Sequence, residues 1–248
     1  KKLSYTYSVE KANGEVTEYT DPYAFANVTK PEDYKAFLAG EEKNAAHIFG
    51  AHERTVNGVK GVLFNVWAPK ALSVSVVGEF NKYDGRVHLM ERIEDTGVFE
   101  LFIPGLAAGC GYMYEIKRQG KGTTRKLDPV SRQISSVPII ASVVSDENMP
   151  DSYAGNEGVW MIKRKKEAGK KKPVTVYEVS LTDWLKEKSA DELVDFVKQE
   201  GYTHVCFLPV AEYLNEEMNG YSTLGYFAVT HRIGGSDAFK KLVDDCHN

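Results

Sequence analysis

The sequence predicts a multidomain chain of β plus α/β class: an immunoglobulin-like β-sandwich followed by the first two β/α units of a truncated (β/α)8 TIM barrel. Three observations carry this. From Gly58 to about Ile140, short apolar runs recur roughly every 8 to 12 residues with turn residues between them, the pattern of a sandwich. After Lys172 the period changes to a β-rich run, a helical stripe and a second β-rich run, the order of a βαβ unit. The 248 residues also exceed one ordinary domain.

Residues 1–45 read as a leader. The string KKLSYTYSVEKANGEVTEY has two basic residues and then turns polar and acidic, with no apolar segment of a secretory signal. Residues 46–145 form the expected sandwich, with strands in GVLFNVWAP, SVSVVGEF, GVFELFIPGL and GYMYEIKR. Alternation in Ser73–Val76 and in Phe99–Ile103 predicts one face inward and one toward water. Asn57-Gly58, Asp84-Gly85, Pro104-Gly105 and Gly120 to Gly122 supply turns. Residues 146–173 read as a linker, its basic run Lys163–Lys172 a solvated stretch interrupted by Gly169.

Residues 174–248 read as a partial (β/α)8 barrel. VTVYEVSL and THVCFLPV are β-rich. Between them Leu193, Val194 and Val197 fall at helical spacing, and Gly201 suits a helix end. A last helix is expected over Ser236–His247, with Ser236 as N-cap and Phe239, Leu242, Val243 and Cys246 as its stripe. A whole barrel needs roughly 250 residues, and a parallel sheet needs cover on both faces. The open edge of Thr203–Val210 is therefore expected to be covered by self-association or by unusual packing against the sandwich.

Composition narrows the function classes. The net charge is -4, with 31 Lys and Arg against 35 Asp and Glu. The basic residues are scattered outside the one run, so nucleic acid is not an expected partner. No apolar stretch reaches the roughly 20 residues of a membrane helix, and no membrane partner is expected. Cys110, Cys206 and Cys246 share no CxxC spacing, which supports neither a disulfide framework nor a zinc site and fits a reducing, cytoplasmic setting. The six histidines form no HxxxH or HxH pattern, so no metal or cofactor is expected. His204, inside the second β-rich run, reads as a core histidine.

Three segments resemble the glycogen (1,4-α-glucan) branching enzymes. The first is Phe49–Met90, with GAH, VWAP, VVGEFN and then an aromatic and Asp84-Gly85-Arg86. The second is GVFELFIPGLAAGCGYMYEI with Asp128-Pro129. The third combines VYEVSLTDW, EGYTHVCFLPVAEY and NGYSTLGYFAVTHRIG. The resemblance implies a carbohydrate-binding family 48 module joined to the front of a glycoside hydrolase family 13 barrel. Such enzymes act in glycogen biosynthesis, cutting an α-1,4 glucan and rejoining it as an α-1,6 branch. Two carboxyl groups about 5 to 5.5 Å apart do this chemistry with retention. The resemblance places both on later barrel strands, so no catalytic residue is expected in this chain and its partner is an α-1,4-glucan. A non-catalytic glucan-binding scaffold and the front end of an isoamylase-type debranching enzyme are the competing readings.

The same resemblance singles out substrate-binding candidates. Tyr221 matches the position whose ring stacks on the sugar, as a flat ring suits the apolar face of a pyranose. Tyr83, with Asn81 and Arg86, matches a turn that can offer a glucan-contact patch; alternatively Phe80 and Tyr83 close a corner of the sandwich. Trp67 and Trp184 read as core or interdomain anchors, and Glu178 and Glu212, at strand ends, as structural. Departures from the family pattern at Ser180, Thr182, Asp183, Cys206, Phe207, Tyr213, Asn219 and Ser222 lie mostly toward the strand ends that form its substrate face.

Overall fold

A computed structural model describes residues 5–135, 139–146 and 157–248. The chain falls into two compact units, Lys1–Glu147 and Asn148–Asn248. Part of the expected linker, 147–156, lies outside the described residues.

The first unit opens with a hairpin of β1 (Thr6–Glu10) and β2 (Val16–Thr20), in register from Thr6↔Thr20 to Glu10↔Val16. A strap of 3-10 turns and the short α1 (Lys35–Leu38) follows. Next come β3 (Gly50–Val56), β4 (Val59–Trp67), β5 (Ser73–Gly78), β6 (Glu91–Arg92) and β7 (Val98–Pro104). The unit continues with β8 (Gly111–Arg118), β9 (Gly122–Lys126), β10 (Ile134–Ser135) and β11 (Ala141–Val143). One antiparallel sheet has the order β3-β4-β7-β6. The other has the order β10-β11-β8-β5, with β9 also paired to β8. Asn57 and Gly58 both take left-handed backbone angles, φ 52 and 82, which is what a two-residue hairpin between β3 and β4 requires.

Every second residue of the strands turns inward. Val62, Phe64 and Val66 of β4, Val74 and Val76 of β5, Phe99, Leu101 and Ile103 of β7, and Tyr112 and Tyr114 of β8 form the core. Burying each aliphatic or phenyl side chain contributes about 1.5–3 kcal/mol. The expectation of a water-facing side is corrected on both strands: Ser75 of β5 is buried, and in β7 Val98, Glu100 and Phe102 are buried as well. The strap covers those of β7. Tyr34, fully buried, stacks on Phe49 at 5.7 Å, Phe25 meets Phe102 edge-on at 4.8 Å, and Tyr34, Phe49, Ile93 and Val98 make a second cluster.

Glu100 organises this third layer. Its carboxylate accepts from the Val28 N–H (2.6 Å), the Thr29 N–H (3.2 Å), the Thr29 hydroxyl and Asn65 Nδ2 (2.9 Å). A buried carboxylate is tolerated only when its oxygens are filled in this way.

The second unit contains α2 (Glu157–Glu167), β12 (Val176–Val179), α3 (Leu181–Trp184), α4 (Ala190–Gln199), β13 (His204–Phe207), β14 (Ala211–Tyr213), β15 (Thr223–Val229) and α5 (Gly235–His247). The basic run thus begins inside a helix; Glu167 then pairs with Lys170 at 2.6 Å and with Lys172. β12 and β13 are parallel, with Val176↔His204 through Val179↔Phe207 in register. A capping box starts α4: Ser189 Oγ accepts from the Glu192 N–H, and the Ser189 N–H donates to Glu192. Gly201, φ 75, ends it. Val179, Leu181, Leu193, Val197, Ile233 and Leu242 fill the core.

Two expectations are corrected in this unit and one in the first. The N-cap of α5 is Gly234, φ 89, not Ser236, which lies inside the helix. His204 is exposed, with Nδ1 2.8 Å from the Thr203 hydroxyl, because β13 turns Val205 and Phe207, not His204, toward the helices. In the first unit Trp67, read as a core or interdomain anchor, is 47% exposed at the end of β4 and so is not a core residue. Among the described residues β13 pairs with β12 alone.

Candidate functional site

Two surfaces carry the sequence candidates, one on each unit. On the sandwich, the turn after β5 passes through Lys82 and Tyr83, both left-handed at φ 55 and 57. Asn81 makes that turn possible from inside. It is buried; its Oδ1 accepts from the Gly78 N–H (3.0 Å), while Nδ2 donates to the Val76 carbonyl (2.9 Å) and lies 2.9 Å from His88 Nδ1. These contacts use both amide hydrogens and turn the oxygen into the fold, and with the side chain buried the expectation of Asn81 as a sugar contact is corrected.

Tyr83 is half-buried. The Arg125 guanidinium sits 5.7 Å over its ring and donates to its carbonyl at 2.8 Å, and Arg125 also pairs with Glu115 at 3.1 Å. Arg86 is exposed and forks onto Asp84, Nε to Oδ1 at 2.8 Å and Nη2 to Oδ2 at 2.6 Å. Hydrogen bonds donated by the Arg86 guanidinium and by its backbone N–H hold the Asp84 carboxyl below the usual carboxylate range. The structure thus leaves Tyr83 and Arg86 on the turn's surface, without Asn81.

On the second unit, β12 and β13 end at a cavity of about 190 Å3. The carboxyl ends of parallel strands are where α/β sheets gather ligands, since successive loops diverge there. Its lining includes Ser180, Thr182, Asp183, Tyr213 and Asn219. All five are among the departures from the family pattern; the structure brings them together. Ser180 caps α3 by accepting from the Asp183 N–H, and Asp183 pairs with Lys186 at 2.8 Å.

Gly220 holds the loop against this cavity. It is buried at φ 84, and a Cβ there would stand 2.8 Å from the Pro209 carbonyl oxygen. That turn directs Asn219 to the cavity lining and leaves the Tyr221 ring 65% exposed beside it, outside the lining residues.

Beside the lining residue Tyr213 in β14 is Glu212, 1% exposed. It accepts from Arg232 Nη1 at 2.6 Å, the His231 N–H at 3.0 Å and the Thr230 hydroxyl at 3.2 Å, with His231 Nδ1 at 2.9 Å. Burial pushes its pKa up, but the His231 backbone and ring outweigh that and bring it below the ordinary value. Arg232 also covers the Tyr213 ring at 4.2 Å, so this ion pair braces a cavity-lining residue. Sequence reasoning marked Glu212 as structural but missed its partners, which lie about twenty residues on in the 3-10 turn after β15. Glu178, at the other strand end, is exposed.

Residues 48–131 match the family Carbohydrate-binding module 48 (Isoamylase N-terminal domain). The 1,4-alpha-glucan branching enzyme GlgB of Methylococcus capsulatus is 39% identical over 244 residues, covering 94% of this chain and 33% of the relative. That of Gloeobacter violaceus is 38% identical over 257 residues, 98% of this chain and 34% of the relative. Over more than nine-tenths of its length the chain is thus similar to part of the 1,4-alpha-glucan branching enzymes GlgB. It spans about a third of the length of the curated relatives it matches. Among solved structures, a product complex of SpuA, a multi-modular glycogen-degrading pneumococcal virulence factor, superposes with a TM-score of 0.54 at 21% identity. That match covers 80% of this chain and 26% of that one, and it speaks for the fold alone. The module 48 match begins near the end of the strap and runs through both sheets of the sandwich to Ser131 in the Asp128 turn. That turn is anchored by Tyr112, whose hydroxyl donates to Asp128 at 2.6 Å.

Proposed function

We propose that this chain is the α-glucan-binding front end of a 1,4-α-glucan branching enzyme and does not itself carry out branching. The observation that carries the reading is 38–39% identity to such enzymes over more than nine-tenths of the chain, with a carbohydrate-binding module inside it. On this reading 174–248 is the opening two β/α units of a (β/α)8 barrel, and the cavity at the ends of β12 and β13 is one wall of the glucan cleft. Tyr221 stacks on a glucose ring there, and Tyr83 with Arg86 forms a second contact on the sandwich. The whole enzyme, acting in the cytoplasm, would cut an α-1,4 glucan and rejoin it as an α-1,6 branch.

Branching with retention needs a nucleophilic carboxylate and a carboxylic acid about 5 to 5.5 Å apart. Glu212 does not suit the acid's part, because its donors keep it ionised, whereas a general acid needs its pKa raised. Asp183 is likewise tied to Lys186. These carboxylates support a scaffold role.

The test uses the purified chain with glycogen and with amylose. The chain is expected to pellet with glycogen and to add no α-1,6 linkages to amylose. Measurable branching, or failure to pellet, would overturn the proposal.

A further inference from the structure

At one end of the sandwich the inner face of β8 and β9 runs out from under the facing sheet. Tyr114 is 1% exposed, Ile116 is partly buried and Arg118 is exposed. These three alternate along one face of β8. Lys126 and Thr124 of β9 stand opposite Tyr114 and Ile116, which sets them on the same inward face. A groove of about 270 Å3 opens there, floored by Trp67, Pro69 and Ile116, with Lys70 joining Arg118 and Lys126 at its rim.

The floor is fixed before any ligand arrives. Phe37 meets the Trp67 ring edge-on at 5.3 Å. The Trp67–Pro69 turn rests on the bare backbone of Gly97, where a Cβ would stand 2.8 Å from Pro69 Cβ and 3.3 Å from Trp67 Nε1. An exposed indole held rigid offers contact area at little entropic cost.

The rim is unusual in its charge. Lys70, Arg118 and Lys126 make no ion pair or side-chain hydrogen bond among the described residues. Arg125, between Thr124 and Lys126, faces the other way and pairs with Glu115. Three cations thus converge in a chain whose net charge is -4. Their side chains only donate hydrogen bonds, so they match a group that only accepts. A neutral sugar hydroxyl both donates and accepts; a phosphate monoester at neutral pH presents accepting oxygens and negative charge, and it suits an arginine fork.

We propose that this groove is an anion-selective glucan subsite, in which Trp67 takes the face of a glucose ring and Lys70, Arg118 and Lys126 take a phosphate monoester on the glucan. It rests on the glucan-binding reading above and adds a chemical preference to it. Inward-pointing charge on an edge strand also deters strand pairing, but that role alone would give no preference for phosphate.

The experiment compares pelleting of the chain on phosphate-bearing starch granules and on the same granules after phosphatase treatment. Tighter binding to the untreated granules is expected, roughly three- to tenfold at low salt from exposed charge pairs, with the difference shrinking as salt rises. Arg118→Gln with Lys126→Gln should abolish the difference while leaving binding to treated granules unchanged; both side chains are exposed, so folding is preserved. Equal binding by the parent chain to both granules, or a preference that survives the double substitution, would overturn this inference and leave glucan binding standing. Binding to neither would overturn both.

Discussion

Glutamine in place of Glu100 isolates what holds the strap to the sandwich. No cation pairs with this carboxylate among the described residues, so its contribution comes through hydrogen bonds from Val28, Thr29 and Asn65. The substitution nearly preserves shape but turns one acceptor oxygen into an NH2 group facing N–H donors. Whichever way the amide turns, about two donors lose their acceptor. At about 1–3 kcal/mol for each buried donor left unmade, reduced because Val28 and Thr29 are reachable by water, the expected loss is about 2–4 kcal/mol. For a unit of this size that lowers Tm by roughly 8–15 °C. Thermal unfolding followed by near-ultraviolet dichroism reads the loss, and amide exchange at Val28 and Thr29 localises it. If Glu100→Gln unfolds within about 0.5 kcal/mol of the parent and both amides stay protected, the strap is held by Tyr34 and Phe25 packing and this reasoning fails.

Gly220→Ala should cost about 1–3 kcal/mol, because φ 84 is strained for alanine and its Cβ would press on the Pro209 carbonyl; unfolding of the second unit measures this, and pelleting with glycogen should weaken alongside. Glu212 has its folded pKa below the ordinary value of 4.5. Its contribution is therefore present above the unfolded pKa and lost as pH falls through the folded one. Glu212→Gln should accordingly flatten the dependence of stability on pH below about 4.5, and an unchanged slope would refute the role. On the sandwich, Tyr83→Ala should weaken glucan pelleting with little change in Tm. Asn81→Ala should do the opposite, costing about 1–3 kcal/mol by leaving the Gly78 N–H and Val76 carbonyl unpaired. Tyr221→Ala should weaken pelleting without destabilising, as its ring is largely in solvent.

Local and periodic features could be read directly. The Asn57-Gly58 hairpin, the inward Val74 and Val76 of β5, the helix over Ala190–Gln199 and its Gly201 terminus depend on neighbours within a few residues. So does the clustering of unusual residues at strand ends: Ser180, Thr182 and Asp183 follow β12 directly and so share its carboxyl end. Asn81 was misjudged because an Asn in a Gly-containing turn looks the same whether its amide faces out or folds back onto Gly78. His204 was misjudged because an apolar run does not say which face of a strand the helices cover.

The order of the main sandwich strands and of β12, α4, β13 and α5, the sandwich class of the first unit and the likeness to branching enzymes were determined by the sequence alone, through periods of two and 3.6 residues and contiguous motifs. Only the tertiary structure decided that a polar leader buries Glu100 across seventy residues of chain. It also decided that Glu212 is neutralised by Arg232 from beyond β15, and that Trp67 lies open in a groove whose described lining holds three cations and no carboxylate. The physical reason is common to all three. Desolvation and charge pairing depend on which surfaces meet, and surfaces far apart in sequence meet only once the chain has folded.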